Sequence, residues 1–158
     1  MLPQIVPRVY IDTSVIGGCF DAEFDIWSKL LFEEFHKGIK IAVISDLTRR
    51  ELKDAPPDIR KILSTIPDAN LYNVFLSKEA ERLALSYFEN KVVTSKHLAD
   101  AQHIAIATVE RVDVLVSWNF KQIVNLEHIH AFNSINIKLG YPVLEIRSPR
   151  EVIHEKKI

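Results

Sequence analysis

Short β-rich apolar runs alternate with helically spaced segments along this chain, and that alternation admits few architectures. The runs are residues 8–11, 39–44, 70–76, 113–117 and 142–146. Strands separated by helices pair in parallel, and right-handed crossovers then cover both faces of the sheet. Between the strands, residues 22–36 place Phe24, Trp27, Leu30, Leu31 and Phe35 on one helical face, with Gly38 where a C-cap belongs. Ser45 or Asp46 caps a short helix carrying Leu47, Glu51 and Leu52, which Pro56 and Pro57 end. Further helices are predicted at 58–66, at 78–90 behind Ser77, from Thr94 or Ser95 to about Arg111, and over most of 120–139 with a break near Asn133. Pro149 opens a terminal helical piece.

The chain reads as one domain, residues 1–158, long enough to bury a substantial core. Its hydrophobic fraction of 47 % excludes a disordered chain. Cys19 stands alone and cannot form an internal disulfide, so a reducing, cytoplasmic setting is expected. No stretch is apolar for long enough to cross a bilayer, and no signal-peptide pattern opens the chain.

Three acidic residues stand where strands end or helices begin: Asp12, Glu51 and Asp100. In a parallel sheet, ligands gather at the C-terminal edges of the strands. Asp12 closes the first strand, and Ser117 and Asn119 follow the fourth. Glu51 and Asp100 occupy the first or second turn of their helices, which right-handed crossovers aim at the same edge. A carboxylate on an apolar strand is costly to bury without compensation. Hard oxygen donors that converge suit Mg²⁺ or Mn²⁺, which points to a metal-dependent hydrolase, most plausibly a nuclease.

Four segments together resemble the PIN-domain nucleases: Tyr10-Ile11-Asp12-Thr13-Ser14, Ser45 to Leu52 with Glu51 as the acid, Asp100-Ala101-Gln102-His103-Ile104-Ala105-Ile106-Ala107, and Leu115-Val116-Ser117-Trp118-Asn119-Phe120. The ending Ile146-Arg147-Ser148-Pro149-Arg150-Glu151-Val152 resembles the tail of some members. The resemblance implies a three-layer, Rossmann-like α/β fold whose central, mostly parallel sheet has about five strands flanked by helices. It also implies RNA cleavage with Mg²⁺ or Mn²⁺, Asp12, Glu51 and Asp100 as metal ligands, and Asn119 as a fourth catalytic residue holding a bridging water. Many members of this size are VapC-type toxins, commonly homodimers, each inhibited by a small antitoxin protein. One departure is evident: Asn119 stands where the family usually has Asp, which removes a negative charge and weakens the case for two metals.

Substrate-contact candidates are Thr13, Ser14, Arg49, Arg50, Lys53, His103 and Ser117. The hydroxyls bond either the carboxylates and a phosphate or only helix caps. His103 either packs with its ring satisfied, contacts substrate or bonds Asp100 one turn away. Trp118 either stacks on a base or belongs to the core. Asp21, Glu23 and Asp25 read as a solvated helix start, and no basic neighbour activates Cys19 as a nucleophile.

The net charge of −1 means that an RNA-binding surface has to be local. Basic candidates are Arg49, Arg50 and Lys53, then Arg60 and Lys61, then Arg147, Arg150, Lys156 and Lys157; taken singly, each is an ordinary solvated patch. A homodimer is expected from the apolar side chains near Trp27, Phe32, Phe35 and residues 62–66. The competing readings are a catalytically weak RNA-binding or protein-interaction module, favoured by Asn119, and an aspartyl phosphatase. Thr13-Ser14 after Asp12 lacks the second Asp that the phosphatase pattern needs.

Overall fold

A computed structural model describes residues 5–154. Five strands, β1 (Arg8–Ile11), β2 (Ile41–Ser45), β3 (Leu71–Val74), β4 (Val114–Val116) and β5 (Ile146–Arg147), form one parallel sheet in the order β3-β2-β1-β4-β5. The chain builds outward from β1 in one direction, then returns to its other side with β4. In open sheets of this kind ligands bind in the crevice at the switch point, here the C-terminal ends of β1 and β4.

Strand alternation divides the core in two. Tyr10, Val43 and Leu115 face one side, in register with one another across three strands. There they meet α5 (Lys78–Glu89), α6 (Leu98–Val109) and α7 (Leu126–Lys138). Val9, Ile11, Ala42, Ile44, Val114 and Val116 face the other side. They pack on α1 (Thr13–Gly18) and on Leu31, Phe32 and Phe35 of α2 (Asp25–Lys37). The remaining helices are short: α3 (Asp46–Glu51), α4 (Pro57–Lys61) and α8 (Pro149–Val152).

The turn chemistry follows the sequence. Gly38 ends α2 at φ 74°, a left-handed position that glycine takes without strain. The hydroxyls of Ser45 and Ser77 accept from Thr48 N–H and Ala80 N–H to cap α3 and α5. Three expected elements differ. Residues 58–66 form α4 and then a separate 3₁₀ turn at Leu63–Thr65. The expected 120–139 helix starts only at Leu126, because Asn119 and Asn125 each cap a successive turn through a side-chain oxygen. Asn133 does not break α7. It is buried, and its amide bonds the backbone N–H and C=O of Leu144. That pairing holds Leu144 off the sheet, so the last strand is Ile146–Arg147 rather than 142–146.

The apolar side chains expected to form a dimer face are largely interior. Phe32, Phe35, Leu63 and Ile66 lie in the core, and Trp27 is half-buried with the Arg150 guanidinium 4.8 Å from its ring centre. Among the described residues, no helix is long and apolar enough to cross a membrane.

The Gly17-Gly18 pair closes α1. A Cβ on Gly18 would meet the Trp118 indole nitrogen at 2.7 Å and Ser28 Oγ at 2.6 Å. The ring is fixed in the core and cannot retreat. Gly18→Ala is therefore expected to destabilise the fold by about 1–3 kcal/mol through overpacking, despite alanine's better helix propensity. A urea melt checks this: a midpoint equal to or above wild type would contradict the packing argument.

Candidate active site

Asp12 closes β1 at the switch crevice, and its carboxylate is buried. Three groups donate to it: Ser14 Oγ at 2.6 Å and Val15 N–H at 3.3 Å to Oδ1, and Ser117 Oγ at 2.6 Å to Oδ2. Asp12 thus also caps α1. Burial pushes its carboxyl above the usual range, and His103 with the two hydroxyls only partly offsets that.

Glu51 ends α3, and its side chain is one-third exposed. Its Oε1 accepts from Thr13 Oγ1 at 2.6 Å and from His103 Nε2 at 2.7 Å. Burial raises its pKa, but the hydrogen bond and charge of His103, with Thr13 and Arg50, prevail and hold it below the usual range. The other ring nitrogen of His103 lies 2.6 Å from Tyr10 Oη, which lies 2.8 Å from Ser45 Oγ. A carboxylate only accepts, so Nε2 carries a proton; Nδ1, Tyr10 and Ser45 share the remaining donors. Burial keeps the Tyr10 phenol protonated well beyond the neutral range. His103 is therefore a satisfied interior histidine bound to Glu51 rather than to Asp100.

Asp100 lies in the first turn of α6, with His97 Nδ1 3.5 Å from Oδ2. Burial raises its pKa first; the negative charges of Asp12 and Glu51 raise it further, against His103 and His97. Asp12 and Glu51 thus lie close enough for their charges to bear on Asp100. They were expected inside a single metal shell. Among the described residues, no three acidic, histidine or cysteine side chains already form a metal-holding group. Asp12 and Glu51 accept hydrogen bonds from protein donors.

The donor set nonetheless fits a hard cation. The crevice offers carboxylate and hydroxyl oxygens, and Asp12 and Asp100 carry charge that their surroundings disfavour. Oδ2 of Asp12 accepts one bond and keeps lone-pair capacity for a cation, while Oδ1 already accepts two.

Asn119 is half-buried just past Ser117. Its N–H donates to Ser117 Oγ, and its Oδ1 accepts from Gln122 N–H, both at 2.9 Å. Its side chain therefore serves the turn. Trp118 belongs to the core: its ring stacks on Phe24, and its indole N–H donates to Ser28 Oγ.

Arg49 donates to Asn73 at 2.7 Å, and Arg50 stands 4.0 Å from Asp46. Arg49, Lys53 and Arg60 line a cleft of about 160 Å³ with Leu52 and Leu63. Arg147 instead pairs with Glu145 and Glu151. Lys156 and Lys157 lie outside the described residues. A groove of about 690 Å³ between α7 and the approach to β5 contains none of the three acids.

Sequence reasoning gave no role to the Tyr10 phenol or to Asn73, and gave Ser45 only that of a helix cap. Tyr10 carried a signal: a phenol in the middle of an aliphatic strand needs a buried partner.

No protein-family model matches the sequence, and no curated protein matches it. Solved structures do match in fold. One is VapBC2 from Rickettsia felis, bound to a DNA fragment from its promoter, with a TM-score of 0.57 at 16 % identity over 89 % of this chain and 98 % of that one. Another is a toxin–antitoxin complex from Klebsiella pneumoniae, with a TM-score of 0.56 at 15 % identity over 89 % and 97 %. A third is VapC20 of Mycobacterium tuberculosis, a sarcin–ricin loop cleaving toxin, with a TM-score of 0.55 at 11 % identity over 87 % and 98 %. With its five-stranded parallel sheet between two helical layers, the chain has the PIN-domain α/β fold of these toxin structures.

Proposed function

We propose that this chain is a VapC-type endoribonuclease that hydrolyses RNA phosphodiester bonds with Mg²⁺ or Mn²⁺, and the toxin of a toxin–antitoxin pair. The observation that supports the reading is that the charges of Asp12 and Glu51, on two other elements, both bear on Asp100. VapC20, similar in fold, is a loop-cleaving toxin, which supports the substrate class. The Klebsiella complex supports a small antitoxin as partner.

Asp12, Glu51 and Asp100 would hold the cation, which supplies Lewis acidity and activates water for in-line attack. Ser14 and Ser117 fix the Asp12 carboxylate against rotation. Thr13 and His103 do the same for Glu51. Arg49, Lys53 and Arg60 line a separate basic cleft, whose walls do not include Glu51, and suit phosphates of the substrate away from the scissile bond. Cytoplasmic residence and a homodimer complete the proposal. Exposed Leu126, Ile137 and Val143 are better placed for the dimer contact than the buried Phe32 and Phe35.

The test is incubation of the purified chain with mixed RNAs in Mn²⁺ and in EDTA. Cleavage in Mn²⁺ alone supports the proposal. RNA binding without cleavage would favour the weak-module reading. The count of ions has its own test. Asn119→Asp adds an anionic oxygen beside the cluster, so this variant is expected to gain more thermal stability across a Mn²⁺ titration than wild type. Identical shifts would remove Asn119 from the site.

A further inference from the structure

Phe120 follows Asn119 and lies three residues beyond Ser117, whose hydroxyl holds Asp12. It is 47 % exposed, yet it is supported from beneath. Its ring centre lies 6.1 Å from Trp118 and 6.4 Å from Phe24, tilted 60° and 49° to them. Phe24 and Trp118 are stacked at 4.2 Å and 16°. Trp118 is pinned twice, by its indole N–H to Ser28 Oγ and by its backbone N–H to Ser14 Oγ, each at 2.9 Å. Ser14 also donates to Asp12, so the aromatic stack and the candidate metal ligand share one anchoring hydroxyl. Exposed Lys121 stands next in the chain. A second exposed ring, Phe20, lies just beyond α1 at 52 %.

An outward-facing ring on a rigid two-ring base, beside a carboxylate crevice and a free lysine, matches the needs of one ligand. A nucleotide with an unpaired base offers the π-face of that base to the ring and its phosphate to the cation. A base inside a duplex has both faces covered by its neighbours. We propose that Phe120, held by Phe24 and Trp118, is a stacking platform for an unpaired base beside the scissile phosphate, with Lys121 at the adjoining phosphate. The substrate is then single-stranded RNA or a loop. This rests on the nuclease reading and deepens it.

The test is fluorescence anisotropy in EDTA with a labelled RNA of about ten nucleotides, a length within the usual site size. Three forms are compared: single-stranded, annealed to its complement, and abasic at the centre. Cleavage in Mn²⁺ is measured in parallel. Wild type is expected to prefer the intact single strand. Phe120→Leu, which keeps an apolar side chain, should weaken that binding roughly 5- to 100-fold, the range for loss of one stacked base. Phe120→Trp should restore it, and the abasic strand should lower the affinity of wild type far more than that of Phe120→Leu. Unchanged affinity in a Phe120→Leu protein that melts like wild type, while wild type still cleaves RNA, would overturn the platform and leave the nuclease reading standing. The same holds if wild type binds duplex as tightly as single strand. If wild type neither binds nor cleaves any RNA, both readings fail together.

Discussion

Asp100→Asn is expected to make the metal-free protein more stable and catalytically dead. Asp100 titrates above its ordinary range because it is partly buried and faces the charges of Asp12 and Glu51. The sign follows from proton linkage. Between the ordinary carboxylate pKa and the raised folded value, the folded state binds more protons than the unfolded state, so stability falls as pH rises. The penalty is fully present above the folded pKa and absent below the unfolded one. Neutralising the residue removes the penalty at neutral pH, so the melting temperature should rise there. The gain should shrink as pH falls through the raised pKa. Mn²⁺ should then stabilise the variant less than wild type, because a ligand binding only the folded state acts through its affinity. RNA cleavage should fall by more than the roughly 100-fold that losing a group which only orients a metal ligand costs. Thermal melts over a pH series, with and without Mn²⁺, check the stability claims. A lower melting temperature for the variant at neutral pH without metal would refute the account of Asp100 as strained charge.

Lys40→Met is expected to cause the largest loss of stability of any substitution considered. Lys40 and Glu34 are a buried ion pair, each 7 % exposed, in direct contact. The other Glu34 oxygen accepts from His154 N–H at 2.7 Å. Removing the lysine leaves a buried carboxylate with one neutral donor, a change that costs about 3–5 kcal/mol. Adding Glu34→Gln should recover much of the loss, because a neutral amide is far cheaper to bury than an unpaired charge. Chemical denaturation of the single and double variants makes the comparison. If the double variant is no more stable than Lys40→Met alone, the unpaired charge is not the cause.

The sheet and its parallel sense were legible because β1, β2 and β4 are short aliphatic runs with polar residues at their C-terminal ends. Asp12 and Ser117 could be paired in advance, since topology alone brings those two strand ends together. What stayed hidden depended on side-chain partners remote in sequence. Asn133 with Leu144 shortened the last strand, and nothing in either residue type announces that contact. Phe32 looked like surplus apolar surface, but the packing of α2 against β1 and β2 takes it into the core. Of the three readings of His103, the packed and satisfied ring is the one found, but the partners that satisfy it, Tyr10 and Glu51, lie across the fold.

The chain Ser45–Tyr10–His103–Glu51 joins the middle of the sheet to the mouth of the crevice. It makes the routes by which such a protein can lose activity through drift unequal. Changes at Asp100 relieve strain and leave a well-folded, silent protein. Changes at Tyr10 or His103 strand buried polar atoms and threaten the fold itself. If the chain is the nuclease proposed, inactive descendants should therefore accumulate along the first route, still folded.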